Sequence, residues 1–448
     1  MATHVKRLTE GGITSTLVRF AFPFLGATFL QALYGTADML IIGWFCNSEA
    51  IAAVSTATQI AQIALSLVSG LTMGGTILIA QYVGAKRDDE AVDTIGNMFS
   101  LFGIASLIMT AAMFLLADPI LRLMQVPEDA FRYALDYVLI ASGGTIFVVF
   151  YNAISAMLRG LGDSKHPLVF VAVACTCNII LDFVLVGLGM GPGGAALATI
   201  ISQGLSLVLA VIYLKRNEFI FDFKFKSLRL NRRRITQLIK LGLPVSLQDT
   251  TIHISFMIIS AIVNSMGVVA AAAVGVCGRF NGFSMLPPGA FSGALSAIAA
   301  QNIGAGQFDR AKKTLRQAML ISLVCSVVFF VWAQVAPETI MQLFQFDPEV
   351  TAAGAEYLRF FSIDFLLVAV FFCFNGFFNG CGCTRYTMLA GMLTTLVLRV
   401  PLALLFSSLM PDGLYGLGLS TPLATGLGII PHIIMLRTSI WKKGQITH

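Results

Sequence analysis

The sequence predicts an all-α integral membrane fold of about 12 transmembrane helices, arranged as two six-helix lobes related by a parallel internal repeat. Three observations lead there. Of the 448 residues, 57% are hydrophobic and only 12% charged, against about 25% charged in soluble domains, and the mean hydropathy is +0.83. The apolar residues fall into long runs separated by short polar turns, each run long enough to cross a bilayer. The two halves of the chain also carry matching segments at one fixed offset.

The first run spans 15–43, with Pro23 in one half and Asp38 in the other. Pro23 removes a backbone hydrogen bond and is expected to kink the helix. Trp44 follows, where an interfacial aromatic belongs. Further runs cover 50–83, 92–117, 131–159, 166–188 and 193–214. A basic loop, 215–234, precedes six more at 235–266, 269–303, 314–336, 352–378, 386–409 and 414–436. The expected domains are therefore an N-terminal lobe, 1–214, a cytoplasmic linker, 215–234, and a C-terminal lobe, 235–448. Pro287-Pro288-Gly289 should break the eighth run.

The repeat is specific. Gln81 and Ala85 match Gln301 and Ala305, Leu123-Met124-Gln125-Val126 matches Leu343-Phe344-Gln345-Phe346, and Asp136-Tyr137 matches Glu356-Tyr357. Arg159-Gly160-Leu161-Gly162 matches Asn379-Gly380-Cys381-Gly382, all at an offset of 220, while Pro23 and Pro244 lie 221 apart. An even number of spans per half keeps the two repeats in one orientation, with substrate between or within them.

Basic residues collect on one side, among them Lys6, Lys86, Arg87, Lys165, Arg310, Lys442, Lys443 and the 215–234 loop; Glu49, Asp118, Glu128, Glu338, Asp347 and Asp412 fall on the other. By the positive-inside rule, both termini are expected in the cytoplasm of a multi-pass protein of the cytoplasmic (inner) membrane. No cleavable signal peptide is expected. The net charge of +6 is confined to loops and implies no nucleic-acid partner. The eight cysteines form no disulfide framework, and Cys381-Gly-Cys383 lacks the second pair a zinc site needs.

Chemistry concentrates where charge is most expensive. A carboxylate at a span centre costs about 2.5–3.5 kcal/mol, so an intramembrane acid points to function. Asn178 and Asp182 are four residues apart in the fifth run and share a helix face. Asp38 lies at a similar depth in the first. Two carboxylates with the Asn178 carbonyl form an oxygen-rich site suited to Na⁺ or a proton, titrating as one unit; the alternative is that each acid caps a broken helix. Thr199, in the neighbouring run, is a further candidate ligand, or bonds its own backbone. Gln31 and Tyr34 share the Asp38 face, and Asn152 lies in the fourth run; the three are candidates for a substrate cavity or for interhelical hydrogen bonds. The second half offers Asp249 and His253, spaced as a possible proton relay, and Asp364 with Arg399 as a possible buried ion pair.

No catalytic residue set emerges. Asp88-Asp89-Glu90, the one acidic cluster, reads as a solvated helix start rather than the metal site of an intramembrane enzyme. The Gly-rich turns lack a Walker lysine, so no nucleotide cofactor is expected and transport would run on an ion gradient or a separate subunit. A channel fits the lobed repeat less well than alternating access.

Together, Pro23 with Asp38, Gln81-Tyr82-Val83-Gly84-Ala85, Arg159-Gly160-Leu161-Gly162-Asp163 and Asn178-x-x-x-Asp182 resemble the multidrug and toxin extrusion (MATE) family, in particular its DinF-like branch. The resemblance covers nearly the whole chain. It implies two lobes that alternate access, a non-enzymatic antiporter coupled to Na⁺ or H⁺, and small organic, often cationic, substrates. Coupling would fall to Asp38, Asn178 and Asp182, and a monomer is expected. A flippase for a lipid-linked sugar or peptidoglycan precursor is the alternative. Such a cavity should be rich in basic residues, and only Arg279 and Arg399 lie deep in spans.

Overall fold

Helix α1 (Ile13–Phe45) continues through Pro23 as one α-helix and ends at the exposed Trp44–Phe45 pair. The computed structural model to which it belongs describes residues 6–217, 219, 221, 228–344, 346–409 and 414–444. Helix α2 (Ser48–Gly84) starts on the Asn47 side chain, which accepts from the Ala50 amide at 3.1 Å and satisfies one of the free N–H groups of the first turn. Helix α3 (Asp88–Leu123) places Asp88, Asp89 and Glu90 in its first turn, where negative charge complements the helix dipole. Helices α4 (Glu128–Gly143) and α5 (Thr145–Gly160) form one bent span, turning 48° at Gly144. A Cβ at Gly144 would come within 2.3 Å of Ile200, so the missing side chain is what permits that approach.

Helix α6 (Lys165–Leu185) passes into a π-helical turn, Val186–Met190, and then α7 (Gly191–Arg216). The reversal needs left-handed backbone, supplied by Gly189 at φ 88° and Gly191 at φ 55°. The second half comprises α8 (Arg232–Ser265), α9 (Val268–Ser284), α10 (Leu286–Gly304), α11 (Phe308–Val335), α12 (Pro337–Gln342), α13 (Pro348–Phe361), α14 (Ile363–Gly380), α15 (Thr384–Met392), α16 (Val400–Leu409) and α17 (Tyr415–Arg437). A second π-helical turn, Leu393–Arg399, joins α15 to α16. The break expected at Pro287-Pro288 falls between α9 and α10.

Ten helices among the described residues are long and apolar enough to span a bilayer, and the bent α4–α5 pair makes eleven. The stretch Lys165–Arg216 counts once in that total but is interrupted at Gly189, so it supplies two spans and the expected twelve are present. Large apolar side chains stand exposed along these helices, such as Leu107 and Leu115 on α3 and Val324 and Val328 on α11. Water would penalise such faces and lipid would not. The chain is a multi-pass membrane protein.

It forms two compact units. Unit one holds Phe22–Leu243 with Lys6 and Arg7; unit two holds Leu8–Ala21 and Pro244–His448. These limits differ from the 1–214, 215–234 and 235–448 division read from the linker. The cause is local packing of the entry halves of α1 and α8. The Leu8 amide donates to Gln301 Oε1 at 2.8 Å, Arg310 donates to the Glu10 and Gly11 carbonyls at 2.9 Å, and Leu17 and Phe20 join the core around Phe291 and Phe377. The start of α8 is held within unit one: Arg234 Nε meets Asp93 at 2.8 Å, and a Cβ on Gly242 would lie 2.6 Å from Leu71 Cα. Of the basic linker, residues 218, 220 and 222–227 lie outside the described residues, as do Gln345 and Asp412.

Candidate functional site

The acid of the first span and the acid of the fifth meet inside unit one. Asp38 on α1 and Asp182 on α6 are both buried, Asp182 completely. The side chains of Asp182, Asn178 and Thr199 lie beside that of Asp38. Asn178 Nδ2 donates to Thr199 Oγ1 at 3.4 Å, tying α6 to α7. One helical turn separates Asn178 from Asp182, so both face α1.

Polar capacity is left over there. Asp38 Oδ1, Asn178 Oδ1 and both Asp182 oxygens are buried without a hydrogen-bond donor. Leaving a buried acceptor unmade costs about 1–3 kcal/mol, more for a charged one. Two carboxylates in contact repel unless a proton or cation lies between them. The donor set is all oxygen, which fits a hard monovalent cation or a proton and not a soft metal. Among the described residues no group of three or more His, Cys, Asp and Glu side chains comes together as a metal centre.

A cavity of about 300 Å³ opens beside this cluster, bounded by α1, α2, α3, α4, α5 and α7. Its polar lining includes Gln31, Tyr34, Asp38, Gln62, Tyr137, Thr199 and Gln203 and the hydroxyl residues Thr58, Ser142 and Thr145; Met39, Leu65, Met109 and Met113 are among its apolar residues. Asp38 and Thr199 thus belong both to the carboxylate cluster and to the cavity wall. Gln31 and Tyr34 line it, as their spacing from Asp38 suggested. Asn152 does not: its amide donates to the Val148 carbonyl at 2.8 Å, on its own helix, and it is not part of the wall. Tyr137 and Gln203 were not singled out in the sequence. Tyr137 was visible only as half of the Asp136-Tyr137 repeat match, and Gln203 as the residue one turn beyond Thr199.

The second unit arranges its polar residues differently. Asp249 is half-buried and His253 exposed on α8, with no hydrogen bond between them, so the spacing does not produce a relay. Asp364 and Arg399 are both buried. They are not a direct ion pair: Asp364 Oδ1 and Arg399 Nε and Nη1 lack hydrogen-bond partners. Arg399 closes the π-helical turn, and its guanidinium lies 5.2 Å from the centre of the Phe256 ring of α8.

The sequence pattern of the MatE family matches this chain twice, over residues 23–184 and 244–405. A probable multidrug resistance protein of Bacillus subtilis, YpnP, is 30% identical, with 98% of each chain covered. A probable multidrug resistance protein of Thermotoga maritima, NorM, is 23% identical over 90% of this chain and 88% of its own. A solved multidrug resistance MATE family transporter of the MOP superfamily, in an outward-facing conformation, superposes with a TM-score of 0.93 at 21% identity, covering 99% of this chain and 100% of the other.

Proposed function

The chain belongs to the MATE family of transporters, and we propose that it exports organic, often cationic, compounds across the cytoplasmic membrane in exchange for Na⁺ or H⁺. The observation that carries this reading is the shared position of Asp38, which lies beside Asp182 and also lines the cavity. One carboxylate then serves two occupants. With Na⁺ or a proton between Asp38 and Asp182, the cavity wall loses its negative charge and releases an organic cation. With the coupling ion gone, the charge returns and the cation binds again. Thr199 and Asn178 supply further oxygens to the ion, and Tyr34, Tyr137 and the methionines give the cavity the polarizable lining that takes flat apolar cations.

The direction of the cycle follows from the charge pattern: with the basic loops and both termini in the cytoplasm, ion entry at the outer half of unit one drives export. Pro23 lies one residue past the point where α1 passes from unit two to unit one. A helix missing a hydrogen bond there can bend at low cost, so the charge state of Asp38 can be passed along α1 as far as Pro23.

The test uses purified protein in vesicles loaded with a fluorescent organic cation, with Na⁺ and pH gradients imposed separately. Efflux under one gradient, abolished by Asp182→Asn, supports the reading and names the ion. Full gradient-driven efflux by Asp182→Asn overturns the site. No movement under either gradient by folded wild-type protein overturns cation-coupled drug export.

A further inference from the structure

Unit two carries a cavity that export by unit one does not use. It measures about 870 Å³ and lies between the end of α11, helices α12 and α13, and the start of α14. Side chains fix the helices around it. Gln334 Nε2 donates to the Arg359 carbonyl at 2.6 Å and to Ser362 Oγ at 2.9 Å, tying α11 to the end of α13. Trp332 Nε1 donates to Thr339 Oγ1 at 3.0 Å, tying α11 to α12.

The depth of the cavity follows from α11. That helix has no charged residue between Arg316 and its end at Val335, and its basic residues, Arg310, Lys312, Lys313 and Arg316, all lie at the other end. The half-exposed Trp332 stands where interfacial aromatics collect, and Glu338 follows on α12. The cavity therefore sits where hydrocarbon gives way to headgroups. Leu320, Val324, Val327 and Val331 recur every three or four residues and are all exposed, forming one apolar stripe along α11. Phe330 and Gln334, which line the cavity, stand three and seven residues past Val327, so the stripe runs into it.

The polar side of the cavity is a mixed pair of charges. Arg359 Nη2 meets Glu338 Oε1 at 3.3 Å, with both side chains about half exposed. Such a pair contributes little on its own and leaves the guanidinium open to a phosphate, which it grips through parallel N–H groups. Glu356, three residues before Arg359 on the same face of α13, is exposed and has no hydrogen-bond or ion-pair partner among the described residues. A free carboxylate thus stands next to a guanidinium, the complement of an ammonium next to a phosphate. Glu338 and Glu356 outnumber Arg359, so an anionic headgroup is disfavoured. A trimethylammonium group has no N–H to give Glu356, whereas a primary ammonium has. Phe346, 84% exposed, and Phe360 and Ile363 complete the wall with apolar surface that acyl chains would cover.

We propose that this cavity binds a phospholipid with a primary-amine headgroup, its ammonium on Glu356, its phosphate on Arg359 and its acyl chains along the α11 stripe. The site belongs to unit two alone, and its occupancy is measured without reference to the coupling ion.

The experiment is native mass spectrometry of the full chain, titrated with phosphatidylethanolamine, phosphatidylcholine and phosphatidylglycerol of identical acyl chains. The wild type should bind the ethanolamine lipid about tenfold more tightly than phosphatidylcholine, the scale of one charge-assisted contact, and phosphatidylglycerol most weakly. Glu356→Gln should bring the ethanolamine lipid down to the level of phosphatidylcholine and leave the latter unchanged. Arg359→Gln should weaken both alike. Asp118→Asn, which removes a half-exposed acid of unit one paired with Arg122, should change nothing. A photoactivatable ethanolamine lipid should label peptides between Leu320 and Ile363. Equal wild-type affinity for the ethanolamine and choline lipids overturns the proposal, as does an undiminished preference in Glu356→Gln or labelling confined to other segments. Equal binding of glycerophosphoethanolamine, which has no acyl chains, also overturns it, because a soluble phosphate ester then suffices. The wild-type comparison needs no variant, so poor folding of a substituted chain leaves the proposal open to refutation.

Discussion

Asp38 and Asp182, 144 positions apart in the chain, lie side by side in a buried site, and no basic side chain is among the charges that act on either. Replacing either by Asn should abolish gradient-driven efflux. The double replacement should be no worse than the single ones, because two groups that hold one ion fail as a unit. Thermal stability of each variant should hold or rise, since a like-charge contact is relieved. Efflux from vesicles and melting of the detergent-solubilised protein check the two halves of this expectation.

Thr199 joins the cluster through the 3.4 Å hydrogen bond from Asn178. Thr199→Val keeps the shape and removes the oxygen, and should weaken coupling-ion affinity about tenfold, the scale of one lost polar contact. Thr199→Ser should restore most of it. The ion concentration giving half-maximal efflux is the readout.

Outside the membrane, Asp163 in the turn after α5 binds His166 Nδ1 at 2.5 Å and Lys6 Nζ at 3.6 Å. Burial pushes its carboxyl up, but the hydrogen bond from His166 and the charge of Lys6 outweigh burial and hold it below the ordinary carboxylate range. A group depressed on folding stabilises the fold above its unfolded pKa, about 3.9 for Asp, and that contribution is lost as pH falls through the folded value. Asp163→Asn should therefore be less stable than wild type at neutral pH, with the gap closing in the acid range. Melting temperature against pH for the two proteins measures it.

Gly376 on α14 lies against the backbone of α10: a Cβ there would be 2.2 Å from the Ser292 carbonyl oxygen. Small residues let membrane helices approach this closely. Gly376→Ala should cost about 1–3 kcal/mol of stability, the usual range for overpacking. Gly278→Ala, which meets nothing within 4 Å, should be neutral or slightly stabilising. Denaturation of the two variants side by side separates packing from helix propensity.

Much of the site could be read before any coordinates. Asp38, Asn178, Asp182 and Thr199 came from charge and amides inside apolar runs, and the structure brings those four together. Gln31 and Tyr34 came from helical spacing. Tyr137 and Gln203 did not, because a Tyr or Gln in a span carries little energetic signature until a neighbouring helix turns a cavity toward it. Asn152 was a false lead for a related reason: an amide can be satisfied by its own helix, and composition does not reveal which carbonyl it finds.

The linear chain by itself determined the membrane class, the twelve spans, the twofold repeat and the costly acids. Each of these rests on a transfer cost between water and lipid that is nearly additive along the chain and so survives without knowledge of neighbours. Only the tertiary structure decided that α1 and α8 each begin in one unit and end in the other, and that Asp364 and Arg399 are both buried without pairing. Those outcomes depend on how helices rotate and cross. Such geometry is set by close packing between segments far apart in sequence.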